Sequence, residues 1–262
     1  MANVQVGGLD VAYVRLGQGP PLVLVHGAGV DGRMWQPQLD GLEGEFTVVA
    51  WDEPGAGRSS DLPPDFTLAD FAHCLAAVIE AQHLGPAHVG GLSWGGTVAL
   101  ELYRHHPELV RTLILADTYA GWKGSLPPEE VAARVEGAQR MLAVPRDQFD
   151  PTFPGLFAGG PPAGFVPLLD AMAAEVRPET LATELSLMAE ADQRDLLPSV
   201  TVPTLLLWGE LDVRSPLSVA YAFQDAIPHT ELAVLPGVGH VSNLEAPDGF
   251  NHTLRTFCRA HT

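Results

Sequence analysis

The stretch that decides the fold is HVGGLSWGGTVAL, residues His88–Leu100. It begins as an apolar run typical of a buried strand, passes through glycines and continues with helical spacing. Its centre, Gly91–Gly95, fits G-x-S-x-G, in which a serine occupies a sharp turn between a strand and a helix. Glycine is needed two residues before and after the serine because side chains there would collide with the neighbouring elements. An ordinary glycine-serine loop matches the same letters, but the flanking strand and helix favour Ser93 as a nucleophile.

Apolar runs alternate with helical patterns through most of the chain, after an initial hairpin. The runs that predict strands are Pro21–Val25, Phe46–Trp51, Leu109–Ala116, Thr204–Trp208 and Glu231–Leu235. This alternation predicts an α/β fold with a mostly parallel sheet covered by helices on both faces. Residues 119–198 differ, because they carry proline and glycine clusters and helical stretches but no run typical of a parallel strand. They predict a helical cap inserted into a core formed by residues 1–118 and 199–262, at the sheet edge where ligands bind.

Composition limits the possible partners. The chain has 262 residues, of which 46% are hydrophobic, enough for one large core. Its net charge of −18 argues against nucleic acid and anionic membranes as partners. Because no apolar run is long enough to span a bilayer and the N-terminus lacks signal-peptide blocks, we expect a cytoplasmic protein. Cys74 and Cys258 lie in separate predicted helices, so free buried thiols are expected. The oligomeric state stays open.

A serine needs a base within hydrogen-bond distance, and the base needs an acid that orients it. With a G-x-S-x-G turn, the expected order along the chain is serine, acid, histidine. Asp212 follows the Thr204–Trp208 strand and His240 follows the last strand. Both therefore lie at the same sheet edge as Ser93 and are the predicted partners. Asp117, which also follows a strand, is the alternative acid, and Glu210 is a weaker one.

Acyl transfer passes through a tetrahedral oxyanion, which two converging N–H groups stabilise. The main-chain N–H of Trp94, directly after the serine, is one candidate. The other is the N–H of Ala28, where Gly27 and Gly29 allow the backbone to approach a substrate closely. His26 is expected to brace this loop, and direct contact with substrate is the alternative.

The segment Gly27–Gly32 also spells G-x-G-x-x-G after a strand, and Asp52 lies 20 residues beyond Gly32. That is the outline of a dinucleotide-binding fingerprint. The predicted helix that follows is short and contains Pro37, and a dinucleotide site would leave the Ser93 motif unexplained. We therefore expect no cofactor and no metal, and we expect Asp52 to tie its loop through hydrogen bonds.

With these stretches in place, the chain resembles the α/β-hydrolase family, which implies an eight-stranded, mostly parallel sheet and a lid. The segments His26–Trp35 and His240–Pro247 resemble those of the enol-lactonases of aromatic catabolism and their esterase relatives. Ser93 followed by Trp94 is also similar to proline iminopeptidases, but no acidic cluster for a free amine is recognisable. A serine nucleophile disfavours the dehalogenase and epoxide hydrolase activities of the family. Val241 stands where its carbon–carbon bond hydrolases typically carry tryptophan.

An apolar substrate pocket is expected between cap and sheet. Besides His26, Gly27 and Val241, the candidate substrate contacts are Trp35, Trp122, Phe153 and Phe157. Residues 122–128 are predicted to form a loop that acts as a lid segment. The acidic lactones of enol-lactonases imply a cation in the pocket, for which the cap offers Lys123, Arg134, Arg140, Arg146, Arg177 and Arg194.

These features predict a serine hydrolase that cleaves a small carboxylic ester or lactone through an acyl-enzyme. Two alternatives remain within the same fold. One is carbon–carbon bond hydrolysis of a diketone, or perhydrolase chemistry, with the same three residues. The other is a non-catalytic protein that only binds a ligand.

Overall fold

The computed structural model describes residues 2–145, 148–149 and 153–262. Within this part of the chain one sheet is formed by β1 (Ala2–Val6), β2 (Leu9–Leu16), β3 (Pro21–Val25), β4 (Thr47–Trp51), β5 (Ala87–Leu92), β6 (Val110–Ala116), β7 (Thr204–Gly209) and β8 (Thr230–Leu235). The strand order is β1-β2-β4-β3-β5-β6-β7-β8. β1 and β2 pair antiparallel, and all pairings from β4 to β8 are parallel. The predicted fold class, an eight-stranded and mostly parallel sheet, is confirmed.

Helices cover both faces of this sheet. One face packs against α2 (Leu68–Ala81), α3 (Trp94–His105) and α8 (Leu217–Ala226), and the other against α1 (Gln36–Leu42), α9 (Ser242–Glu245) and α10 (Pro247–Ala260). Side chains alternate between the two hydrophobic clusters along β3: Val23 belongs to the first, and Leu22 and Leu24 to the second. The alternation follows from the two-residue period of a strand, and it explains why the central strands are apolar on both faces.

The chain between β6 and β7 (residues 119–198, called the insertion below) contains α4 (Trp122–Ser125), α5 (Pro128–Leu142), α6 (Val166–Glu175) and α7 (Pro178–Glu190). The prediction of a loop at residues 122–128 is wrong, because α4 forms there and α5 begins at Pro128. Trp122 is buried in α4, and its ring lies under the guanidinium of Arg134 from α5. Burial of this large ring stabilises a turn of helix that has no sequence signature of its own.

Cys74 and Cys258 are buried and free, as expected. A search of the described residues finds no helix with the length and apolar character needed to cross a bilayer.

Candidate active site

Ser93 alone connects β5 to α3, with φ of 55° and ψ of −118°. A positive φ is strained for a residue with a side chain, and neighbouring structure must hold it. A Cβ on Gly91 would lie 2.1 Å from the carbonyl oxygen of Gly95, and a Cβ on Gly95 would lie 2.2 Å from that of Val25. Only glycine fits these two positions, so the structure contains the strand–turn–helix that the motif predicted.

Three side chains from distant parts of the chain meet at this turn. The Nε2 atom of His240 lies 3.0 Å from Ser93 Oγ, and its Nδ1 atom lies 2.8 Å from Asp212 Oδ2. The other carboxylate oxygen of Asp212 accepts the main-chain N–H groups of Arg214 at 2.8 Å and Ser215 at 2.9 Å. With its proton on Nδ1, His240 donates to Asp212 and accepts from the serine hydroxyl. This arrangement is able to remove the proton of Ser93 as the serine attacks.

The electrostatic surroundings keep His240 neutral. Burial lowers the pKa of His240, Asp212 opposes that shift, and the guanidinium groups of Arg214 and Arg134 lower the pKa further. A neutral imidazole is the form that accepts a proton, so His240 is in the basic form at pH 7.

Asp117, the alternative acid, is held away from the histidine ring. It accepts the main-chain N–H of Gly209 at 2.8 Å and the hydroxyl of Ser242. Burial, with repulsion from Asp212, raises the pKa of Asp117 well above its ordinary value. Among the described residues, the ring nitrogens of His240 do not bond to Asp117. Its contacts instead connect the end of β6 to the loops that follow β7 and β8.

Two other acidic residues singled out from the sequence stand outside this group. Glu210 accepts the main-chain N–H of Gly237 at 2.8 Å on the surface. Asp52 accepts the N–H of Gly32 at 3.0 Å and the Nε–H of Arg58 at 2.6 Å. Asp52 therefore ties two loops, as expected. The G-x-G-x-x-G segment leads into a 3-10 turn of four residues rather than the long helix of a dinucleotide site.

The loop after β3 runs beside the serine. A Cβ on Gly27 would lie 3.7 Å from Ser93 Cβ. Within the described part of the chain, no acceptor bonds to the main-chain N–H of Ala28 or of Trp94. Both N–H groups therefore remain free to bind an oxygen.

A cavity of about 730 Å³, counted to its open mouth, lies between the insertion and the sheet. Ser93 and His240 line it. The predicted contact residues in its wall are Gly27, Trp122, Phe153, Phe157 and Val241. Most of the wall is apolar, which suits the carbon skeleton of a small organic molecule.

Two predicted contact residues, Trp35 and His26, do not line this cavity. Trp35 is buried in the core, with its ring centroid 6.0 Å from that of Phe250. His26 is fully buried, and its Nε2 accepts the main-chain N–H of Glu53 at 3.2 Å while its Nδ1 lies 2.9 Å from the carbonyl oxygen of Gly27. Through these two contacts His26 braces the loop after β3 against the loop after β4.

A model of the α/β-hydrolase fold matches residues 20–247. The chain belongs to this family. It is 30% identical over 266 residues to the pimeloyl-(acyl-carrier protein) methyl ester esterase of Vibrio vulnificus, with 95% of this chain and 98% of the relative covered. A thermophilic esterase from Thermogutta terrifontis, solved with malate bound, matches with TM-score 0.85, 29% identity and full coverage of both chains. The enol-lactonase of Burkholderia xenovorans has the same fold, with TM-score 0.82, 24% identity and coverage of 98% and 100%.

This α/β-hydrolase also contains a buried carboxyl pair that the sequence did not reveal. Glu53, after β4, accepts the Trp94 Nε1–H at 3.0 and 2.9 Å. Glu184, in α7, accepts the main-chain N–H of Gly29 at 2.9 Å. The two carboxyl groups also hydrogen-bond each other, which requires a proton on one of them. Burial raises the pKa of Glu53 well above its ordinary value and that of Glu184 to about 7.

Arg214 was also missed, although it lines the cavity two residues after Asp212. Of the cations expected in the cap, Arg134 is not in the cavity wall, but its guanidinium lies over the ring of Trp122, which is. Arg146 lies outside the described residues. Among the residues described, no group of three or more His, Cys, Asp and Glu is placed to hold a metal ion.

Proposed function

We propose that this α/β-hydrolase cleaves carboxylic esters or lactones without a cofactor, with Ser93 as nucleophile, His240 as general base and Asp212 as the orienting acid. The observation that carries this proposal is the continuous hydrogen-bonded chain from Asp212 through His240 to Ser93. The relatives named as esterases support ester chemistry, and the enclosed apolar cavity supports a small-molecule substrate.

The reaction follows from this geometry. Ser93 Oγ attacks the ester carbonyl carbon while its proton passes to His240 Nε2, and Asp212 stabilises the imidazolium. The N–H groups of Ala28 and Trp94 stabilise the oxyanion that forms on the carbonyl oxygen. The carbon–oxygen bond to the leaving group then breaks, and the departing alkoxide takes the proton from His240. Water, activated by the same histidine, hydrolyses the acyl-serine and regenerates the enzyme.

The insertion completes the cavity in this proposal. Its residues Trp122, Phe153 and Phe157 form walls over the serine and limit the access of bulk water. We propose that residues 119–198 act as a cap in this sense, on the core formed by 1–118 and 199–262.

The proposal is tested by turnover of p-nitrophenyl acetate. We expect Ser93→Ala to lower kcat by about 10⁴ or more with folding intact, because no other group replaces the nucleophile. The surface variant Ser186→Ala serves as the matched control and should keep wild-type kinetics. Unchanged turnover in Ser93→Ala would assign the reaction to another residue.

A substrate panel separates the alternatives. Esters and lactones should be hydrolysed faster than vinylogous diketones, and perhydrolysis should be slower than hydrolysis. A preference for diketones would favour carbon–carbon bond hydrolysis, and no turnover of any member would favour a ligand-binding protein.

A further inference from the structure

One arginine in the wall of the active-site cavity has no carboxylate partner in the part of the chain that the structure describes. Arg214 lines the cavity and is half-buried. Its guanidinium lies 5.0 Å from the ring centre of Phe153 and donates to the carbonyl oxygen of Pro154 at 3.2 Å. Among the described residues, no carboxylate lies within ion-pair distance of this group. A desolvated cation without a counterion is unfavourable, so the site is suited to an anion supplied from outside.

A second arginine lies next to the first. Arg134, in α5, donates to the carbonyl oxygen of Arg214 and to a carboxylate oxygen of Glu130, each at 2.6 Å. It also donates to the hydroxyl of Tyr119 at 2.9 Å. Glu130 is thus the ion-pair partner of Arg134. Asp212 lies near Arg214 but is hydrogen-bonded to His240, so the guanidinium of Arg214 has no ion pair with any described carboxylate.

A groove of about 850 Å³ adjoins the cavity at these arginines. Trp122, Phe153 and Arg214 line both the cavity and the groove. The ring of Trp122 lies 5.4 Å from the guanidinium carbon of Arg134. The junction thus offers the guanidinium of Arg214, a donor group whose geometry suits a carboxylate.

We propose that Arg214, with Arg134 beside it, binds an anionic group of the substrate, most simply a carboxylate, while Ser93 attacks an ester or lactone carbonyl of the same molecule. The proposal rests on the hydrolase function above and narrows its substrate class to esters and lactones that carry a second, ionised acid group.

The same cations act on the catalytic base. The groups whose charges face Arg214 are Asp212, Arg134, Tyr119 and Glu130, and His240 feels both arginines. Because a nearby cation disfavours protonation of imidazole, loss of Arg214 should raise the pKa of His240. A purely structural role of Arg214 would not produce this shift.

The kinetic test compares mono-p-nitrophenyl adipate, which has a free carboxylate, with its methyl-capped diester. We expect Arg214→Gln to lower the ratio of kcat/KM for the acid over the diester by about 10- to 100-fold, the usual range for a lost charge-assisted hydrogen bond. Arg214→Lys should lower it less. The acid limb of the diester profile should move to higher pH in Arg214→Gln. Arg194→Gln, which removes a fully exposed cation paired with Asp192, is the control and should leave the ratio unchanged.

An equal loss for both esters in Arg214→Gln, or an unchanged ratio, would overturn the anion site. An equal loss would mean that Arg214 only holds the Asp212 loop in place.

Binding separates this site from the hydrolase function. In the Ser93→Ala protein, calorimetry should show tighter binding of monomethyl adipate than of dimethyl adipate by about tenfold or more. Adding Arg214→Gln should remove the preference. If wild-type protein cleaved neither ester while this preference persisted, the hydrolase function would fail and the anion site would stand. Equal binding of the two esters would overturn the anion site alone.

Discussion

Two pairs of buried carboxyl groups flank Ser93, and they differ in the donors that face them. Asp212 accepts two main-chain N–H groups and the Nδ1–H of His240, and Asp117 accepts one N–H and one hydroxyl. In the second pair, Glu53 accepts one indole N–H, Glu184 accepts one main-chain N–H, and each needs a proton shared with the other.

The difference follows from where each pair sits. The aspartates lie after β6 and β7, which pair in the sheet, so the sheet fixes where the two residues begin their loops. The main-chain donors come from the end of β7 for Asp117 and from the loop after β7 for Asp212. Glu53 belongs to the core and Glu184 to the insertion, and each accepts a hydrogen bond from one N–H group only among the described residues. In the first pair, Asp212 with its three N–H donors is therefore suited to holding a negative charge next to His240. The second pair links α7 to Gly29, in the loop after β3, and to Trp94, the residue after Ser93. The protonation of this pair depends on pH.

The largest expected effect separates the two aspartates. Asp212→Asn should lower kcat for p-nitrophenyl acetate by about 10³- to 10⁴-fold, because an amide favours the wrong tautomer of His240 and does not stabilise its imidazolium. Asp117→Asn should cost about tenfold or less, because its contacts only brace the loops. Equal losses, or the reverse order, would transfer the acid's role to Asp117.

An intermediate effect is expected in the stability of the glutamate pair. Because the folded-state pKa of Glu184 is raised to about 7, the folded protein keeps a proton that the unfolded chain loses above about pH 4.5. The stabilisation is thus complete at low pH and is lost as the pH rises through about 7. We expect the free energy of unfolding to fall by on the order of 1–3 kcal/mol across this window, measured by urea denaturation.

Glu184→Gln tests whether Glu184 is the group whose titration changes the stability, because the amide of the variant donates to Glu53 at every pH. In Glu184→Gln the free energy of unfolding should change less with pH than in wild type. Glu190→Gln, at the exposed end of the same helix, should show the wild-type pH dependence. A profile for Glu184→Gln that parallels wild type would place the titrating group elsewhere.

The smallest effect concerns the acid limb of kcat/KM. Burial lowers the pKa of His240 below 6.5, so the half-maximum should lie below pH 6.5. Glu184→Gln should leave this limb within about 0.3 units, since the limb belongs to the aspartate side of the serine. A limb that moved with Glu184 would show that the two pairs titrate together.

The sequence predicted the elements whose signals are local. Apolar runs predicted the strands, and glycine spacing predicted the Ser93 turn. Asp212 and His240 were predicted because each follows a strand, and parallel strands end at the same edge of the sheet. Trp35 was wrongly predicted to contact substrate, because the sequence around an aromatic residue beside a catalytic loop does not show whether its side chain faces the core or the cavity. The Glu53–Glu184 contact, and the position of Arg214 in the cavity wall, depend on how the insertion lies over the sheet, and no local sequence pattern encodes that arrangement.

The most direct test of the central claim is to treat the protein with a fluorophosphonate probe and to locate the label by peptide mass mapping. The probe reacts with a serine that a neighbouring base activates, so it reports on the hydrogen-bonded chain itself. We expect a single label on Ser93, formed much more slowly in Asp212→Asn. Labelling of a different residue, or no labelling of folded wild-type protein, would contradict the assignment of Ser93, His240 and Asp212 as a working triad.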